Sequence, residues 1–160
     1  MNIRLIEEKD NKAMARIIRS TLEEFGANQP GTVYYDQNIW CLSDILNDDE
    51  SAYFVIEKNN KIVGGAGIYP THGLPEHAAE LVKLYTIPEI RGKGYGKRLI
   101  NICLDFAKQV GYKYVYLESM EELSMAVGLY ERLGFKYLNT PMGESGHSYC
   151  KIWMLKDLEE

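Results

Sequence analysis

Apolar residues recur along the chain with two different periods, and these divide it into short segments. Ile3 and Leu5 alternate with polar neighbours, which predicts a first strand over Asn2 to Ile6. Asp10 stands where an N-cap belongs, and Met14, Ile17, Ile18 and Leu22 then follow at helical spacing, so a helix is expected to about Phe25, stopped by Gly26. The stretch ANQPGTVYYDQ reads as a loop, and a short helix is expected from about Gln37 to Leu46. SAYFVIE and KIVGGAGIY read as antiparallel strands, joined at Asn59 and Asn60, which tolerate the positive φ of a tight turn.

After the loop PTHGLPEH, the apolar run AAELVKLYTI reads as a strand closed by Pro88. A glycine-rich turn, RGKGYG, leads into a helix from about Tyr95 to Val110, with Leu99, Ile100, Cys103, Leu104 and Ala107 on its inner face and Gly111 at its end. YKYVYLES is the next strand, and about Leu123 to Leu133 the next helix, stopped by Gly134. Phe135 to Leu138 and His147 to Leu155 are expected to pair as strands around TPMGESG. Strands first and strand–helix alternation afterwards predict a mixed α/β domain filling residues 1–160.

Composition narrows the function. With 46% apolar residues, 160 residues can bury a core. A net charge of −5 repels nucleic acid and anionic membrane, so any bound anion must be held locally. No apolar run approaches the roughly 20 residues of a membrane span and the start lacks an apolar leader segment, which together suggest a cytoplasmic protein. Cys41, Cys103 and Cys150 are an odd number without a C-x-x-C, which suggests neither a disulfide framework nor a metal site.

The local anion site is the turn between the third long strand and the long helix. Gly92, Gly94 and Gly96 let the backbone approach a ligand, the first amides of the helix have no internal partner, and Arg91, Lys93, Lys97 and Arg98 add four positive charges. Phosphate fits that setting better than carboxylate. A Walker A loop is excluded by Arg91 and Arg98 at the positions requiring Gly and Ser or Thr. A dinucleotide G-x-G-x-x-G is excluded by Lys97 and Leu99.

What Arg91-Gly92-Lys93-Gly94-Tyr95-Gly96 does match is Q/R-x-x-G-x-G/A. With ELVKLYTIPEI before it, and YVYLES and AVGLYERLGF behind it, the chain resembles the GNAT superfamily of acyl-CoA-dependent N-acetyltransferases. The match is densest from about Glu80 to Phe135. The resemblance implies a GNAT fold, one central mixed sheet of six to seven strands flanked by about four helices. It implies acetyl-CoA as co-substrate, its pyrophosphate on Arg91, Gly92, Lys93, Gly94, Tyr95, Gly96 and Lys97 and its pantetheine arm on the main chain of Leu84, Tyr85 and Thr86. No metal is required. The implied reaction is direct attack of a small-molecule or peptide amine on the thioester, the oxyanion held by a backbone N–H near Tyr85 or Thr86. A homodimer is an expectation of the family.

By the same resemblance, Tyr130 in GLYERLGF is the acid for the departing thiolate and Glu80 the base for the ammonium. Their structural alternatives are an aromatic packed on the inner face of a helix with Val127 and Leu133, and an exposed strand-end carboxylate. Leu123 stands where many members keep a coenzyme-contacting Asn. His72, His147, Tyr34 and Tyr35 are candidates to line the acceptor pocket. A binding module that holds acyl-CoA without turnover, as a sensor or interaction surface, is the rival reading; turnover against a panel of amines separates the two.

Overall fold

The protein, described here over residues 1–160 by a computed structural model, is a mixed α/β structure built on one seven-stranded sheet. Strand β1 (Asn2–Leu5) is followed by helix α1 (Asn11–Glu24), and the short α2 (Leu42–Ile45) precedes β2 (Ala52–Lys58), β3 (Lys61–Tyr69) and β4 (Ala78–Thr86). Helix α3 (Tyr95–Val110), strand β5 (Tyr114–Ser119), helix α4 (Ser124–Arg132) and strands β6 (Lys136–Leu138) and β7 (Ile152–Asp157) complete the chain. The strand order is β1-β2-β3-β4-β5-β7-β6, antiparallel throughout except between β4 and β5.

Helix α1 packs on one face of the sheet, where Met14, Ile18 and Leu22 meet Tyr53, Val55 and Tyr85. Helices α3 and α4 cover the other face, where Leu99, Ile100 and Cys103 of α3 and Val127 of α4 meet Ile56, Ile68 and Leu117. The five inner residues expected for α3 are all buried. The β2–β3 turn places Asn59 at φ 52° and Asn60 at φ 63°, the left-handed pair a two-residue hairpin requires.

Several expected boundaries shift, each for a local reason. Asp10 precedes α1 but does not cap it. Its carboxylate accepts two bonds from Arg4, at 2.7 and 3.0 Å, and one from the Glu7 amide at 2.8 Å. The expected helix from Gln37 to Leu46 is a 3-10 turn, Gln37–Trp40, and then α2, separated by Cys41 at φ −138°. The last strand begins at Ile152, not His147, because the preceding residues cross to the loop after α1, where the Tyr149 amide donates to the Gly31 carbonyl at 3.1 Å.

Two irregularities of the central strands position the site. Between Gly65 and Gly67 of β3 the single residue Ala66 faces two of β4, Lys83 and Leu84, so β4 carries a bulge. Lys83 takes φ 54° there, and its carbonyl accepts a 2.6 Å bond from the Tyr53 hydroxyl. Parallel pairing of β4 with β5 covers only Ala78–Tyr114, Ala79–Val115 and Glu80–Tyr116; beyond it β5 pairs with β7 alone. The β5-facing edge of β4 is therefore left free from Leu81 to Thr86.

Gly65 is required by close approach: an added Cβ would lie 2.5 Å from Tyr53 Cε1, 2.9 Å from the Phe54 carbonyl and 3.0 Å from Met14 Sδ. Gly65→Ala should destabilise the fold by about 1–3 kcal/mol, as overpacked cores do. In a thermal melt that is a loss of several degrees; an unchanged Tm would contradict the packing of Tyr53 against β3.

Candidate active site

The turn between β4 and α3 presents a run of free backbone donors. Gly92 (φ 74°) and Gly94 (φ 88°) take left-handed conformations, and Gly94 is the residue before α3. Six consecutive amides, Gly92 to Lys97, donate to no other group of the protein; the first bond of the helix is made by Arg98 to the Gly94 carbonyl at 3.1 Å. A Cβ on Gly92 or Gly94 would meet nothing, so the space over the turn is open. Unpartnered amides at the positive end of a 16-residue helix form an anion cradle.

The basic side chains divide their work. Arg91 turns away from the cradle: its Nε and Nη2 donate to the Thr86 carbonyl at 3.1 and 2.8 Å, and Nη1 pairs with Glu24 at 2.8 Å. It therefore braces the end of β4 against the end of α1. The Arg98 guanidinium lies 5.6 Å over the Tyr95 ring.

From this cradle a cavity of about 480 Å³ runs along the free edge of β4, past Leu84, Tyr85 and Thr86, to Glu80 and Tyr130. The alternative for Tyr130, packing on the inner face of α4, holds in part: it is buried and lies edge-to-face on Phe135 at 5.8 Å. Its hydroxyl nevertheless makes no hydrogen bond within the protein, and burial raises its pKa, so the group stays protonated. Cys150 lines the same cavity, and burial pushes its thiol up to about 12.

Glu80 is not an exposed strand-end charge. It is 5% exposed, burial pushes its pKa up to about 7, and the one opposing hydrogen bond comes from the Thr71 hydroxyl at 2.5 Å. It lies in the wall shared with a second, smaller cavity of about 190 Å³, as do Val82, Lys83 and His147. His147 Nε2 is 2.8 Å from Asp36 Oδ2, linking the C-terminal segment to the loop after α1. His72 stands at the rim of the smaller cavity, 87% exposed and 3.3 Å from Glu144. Tyr34 and Tyr35 line neither cavity. They pack on each other at 5.2 Å, with Arg19 over the Tyr34 ring, while their neighbours Val33 and Asp36 face inward.

Sequence reasoning missed five polar residues here. Tyr116 donates to Glu118 at 2.6 Å and accepts from the Met142 amide at 3.0 Å, and Ser145 donates to the other Glu118 oxygen, so β5 fastens the 142–147 segment beside the site. Asp36 and Lys83 are the other two of consequence. Lys83 was visible as the lone cation of a mainly apolar strand, an unusual residue for a buried segment. No group of three His, Cys, Asp or Glu side chains is placed to hold a metal ion, and no helix is long and apolar enough to cross a membrane.

The pattern that defines the acetyltransferase (GNAT) family matches residues 14–135. The chain is 37% identical over 157 residues to the uncharacterised N-acetyltransferase YjgM of Escherichia coli K12, covering 98% of this chain and 94% of that one. Its fold is that of a GNAT acetyltransferase from Staphylococcus aureus Mu50, with a TM-score of 0.87 at 17% identity over 98% of both chains. It is also that of the PaiA N-acetyltransferase of Thermoplasma acidophilum, solved in complex with coenzyme A, with a TM-score of 0.74 at 19% identity over 98% of both chains. The free strand edge, the amide cradle beside it and the family pattern spanning both agree, and the chain belongs to the GNAT family of acetyltransferases.

Proposed function

We propose that the chain transfers the acetyl group of acetyl-CoA to a primary amine of a small-molecule or peptide acceptor, by direct attack of that amine on the thioester. The chief support is the continuity of the site: six free amides at one end, a free strand edge along the middle, and Glu80 with Tyr130 at the far end. The likeness in fold to a coenzyme A complex supports the donor.

The thioester, when bound, supplies an acyl carbon reactive toward amines. The amides of Gly92 to Lys97 receive the pyrophosphate, with Lys93 and Lys97 at the surface beside it. The main chain of Leu84, Tyr85 and Thr86 pairs with the pantetheine arm, and an N–H near Tyr85 or Thr86 serves the oxyanion. Glu80, with a pKa near neutrality, takes the proton of the acceptor's ammonium, and the un-ionised Tyr130 hydroxyl donates to the departing thiolate. Cys150 stays a neutral thiol at physiological pH, which supports direct transfer over a covalent acyl-enzyme.

Gly94→Val forces a β-branched residue into φ 88° at a position where an added Cβ meets no atom of the protein. Calorimetry should find acetyl-CoA binding lost and the fold retained; wild-type affinity would remove the cradle from the mechanism. Tyr130→Phe deletes only the hydroxyl, so acetyl-CoA affinity should hold while turnover falls roughly 10²-fold. Wild-type turnover in that variant would leave the tyrosine as packing.

Glu80→Gln should lower kcat most near neutral pH and less at high pH, where the acceptor is already deprotonated. The same variant reports on stability. A carboxyl raised from 4.5 to about 7 on folding stabilises the native state fully below 4.5 and loses that contribution as pH climbs to 7. Because Gln does not titrate, melts of Glu80→Gln should exceed wild type above pH 7, by at most about 3 kcal/mol, with the gap closing near pH 4.5. A gap independent of pH would contradict a buried, ionising Glu80. If no amine in a broad panel is acetylated by wild type, the acyl-CoA-binding module becomes the better reading.

A further inference from the structure

Lys83 is the one cation at the junction of the two cavities, and its environment is unusual. It is the extra residue of the β4 bulge, which turns its side chain out of the strand's alternation, and that side chain is only 9% exposed. Its ammonium makes no hydrogen bond in the protein. The nearest carboxylate oxygen, Asp36 Oδ2, is 4.0 Å away and already pairs with His147 at 2.8 Å. Buried cations are ordinarily paired and hydrogen-bonded, since their desolvation is otherwise uncompensated. Without a hydrogen bond on a cavity wall, the Lys83 ammonium is free to donate one to a ligand's anionic acceptor.

The cavity it faces points the same way. At about 190 Å³ it is smaller than the roughly 300–1,000 Å³ of sites for drug-sized ligands, so its occupant is compact. Asp36, Glu80 and Glu144 in its wall favour a cationic amine, yet Lys83 would oppose a purely cationic one. Asn38, in the same wall, leaves its buried Oδ1 without a partner, an acceptor available to an N–H donor. A single ammonium, with no arginine in that wall, suits a carboxylate monoanion better than a phosphate. Only a molecule with both charges close together satisfies all of these groups.

Resting on the acetyltransferase reading above, we propose that Lys83 binds the carboxylate of the acceptor, and that the acceptor is a compact amino acid whose amine lies toward Glu80. Lys83 is then a specificity-determining residue, separating free amino acids from polyamines, amides and protein N-termini.

The test uses matched acceptors that differ in the carboxylate alone: free amino acids with apolar, polar and basic side chains, their carboxamides, and the corresponding decarboxylated amines. Coenzyme A release is followed for wild type, Lys83→Met and Lys83→Gln, with melting curves confirming folding. Wild type should prefer each effective acid over its amide by at least about tenfold in kcat/KM. In both variants that ratio should fall toward one, through a rise in KM for the acid. Preference for amides or decarboxylated amines in wild type, or a loss in the variants that is equal across all three sets, overturns the assignment. Calorimetry of the same compounds with the protein–coenzyme A complex separates the two readings. Binding of free amino acids that Lys83→Met abolishes, without any turnover, upholds the carboxylate site and fails the enzyme; turnover of amines with no amino acid bound does the reverse.

Discussion

Everything in this site follows from two parallel strands that pair for three residues and then part. Continued pairing of β4 with β5 would satisfy the backbone of Leu81 to Thr86 internally and fill the cavity with a regular ladder. Parting instead leaves a row of peptide groups at the edge of an apolar groove, where unmet polar groups are costly. The structure supports the opening from both sides: β5 finds its partner in β7, and β4 stays paired with β3 from Glu80 to Thr86. The bulge at Lys83 and Leu84 changes the direction of β4 within this stretch, and Tyr53 secures it through the Lys83 carbonyl.

The electrostatics of the site reverse those of the whole molecule. In a chain of net charge −5, the groups placed to receive an anion are amides and a helix dipole, which carry no formal charge. At the other end, burial does the opposite work on Glu80, making it reluctant to ionise and so able to exchange a proton near neutrality. The two ends are joined mechanically as well. Arg91 ties the last carbonyl of β4 to the end of α1, and the loop beyond α1 carries Asp36 to His147.

The parts of this arrangement legible in the sequence are those made by local rules. The glycine turn, the caps of α3 at Gly94 and Gly111 and the Asn59–Asn60 hairpin are decided by φ preferences of single residues, and each stands where the chain spells it. Elements decided by long-range contact were harder to read. Gln37 to Leu46 carries helical spacing, yet burial of Ile39 and Leu42 against α1 is met by two short turns. Glu80 reads equally as a base and as a strand-end charge until Thr71 and the sheet close over it. The bulge leaves no mark in the chain except Lys83, a cation among Val82, Leu84 and Tyr85 whose meaning depends on Ala66 of a neighbouring strand.

The amide cradle also governs which changes in sequence the site can absorb. Its donors are main-chain groups, so replacing Lys93, Tyr95 or Lys97 leaves the six backbone amides in place. Only the left-handed glycines are irreplaceable in this sense, because they set the direction of every amide at once. A binding surface of this kind lets its side chains drift while its recognition stays constant. On the proposed function, a change of acceptor falls to the opposite end, where Asp36, Lys83 and His147 present side chains to the smaller cavity.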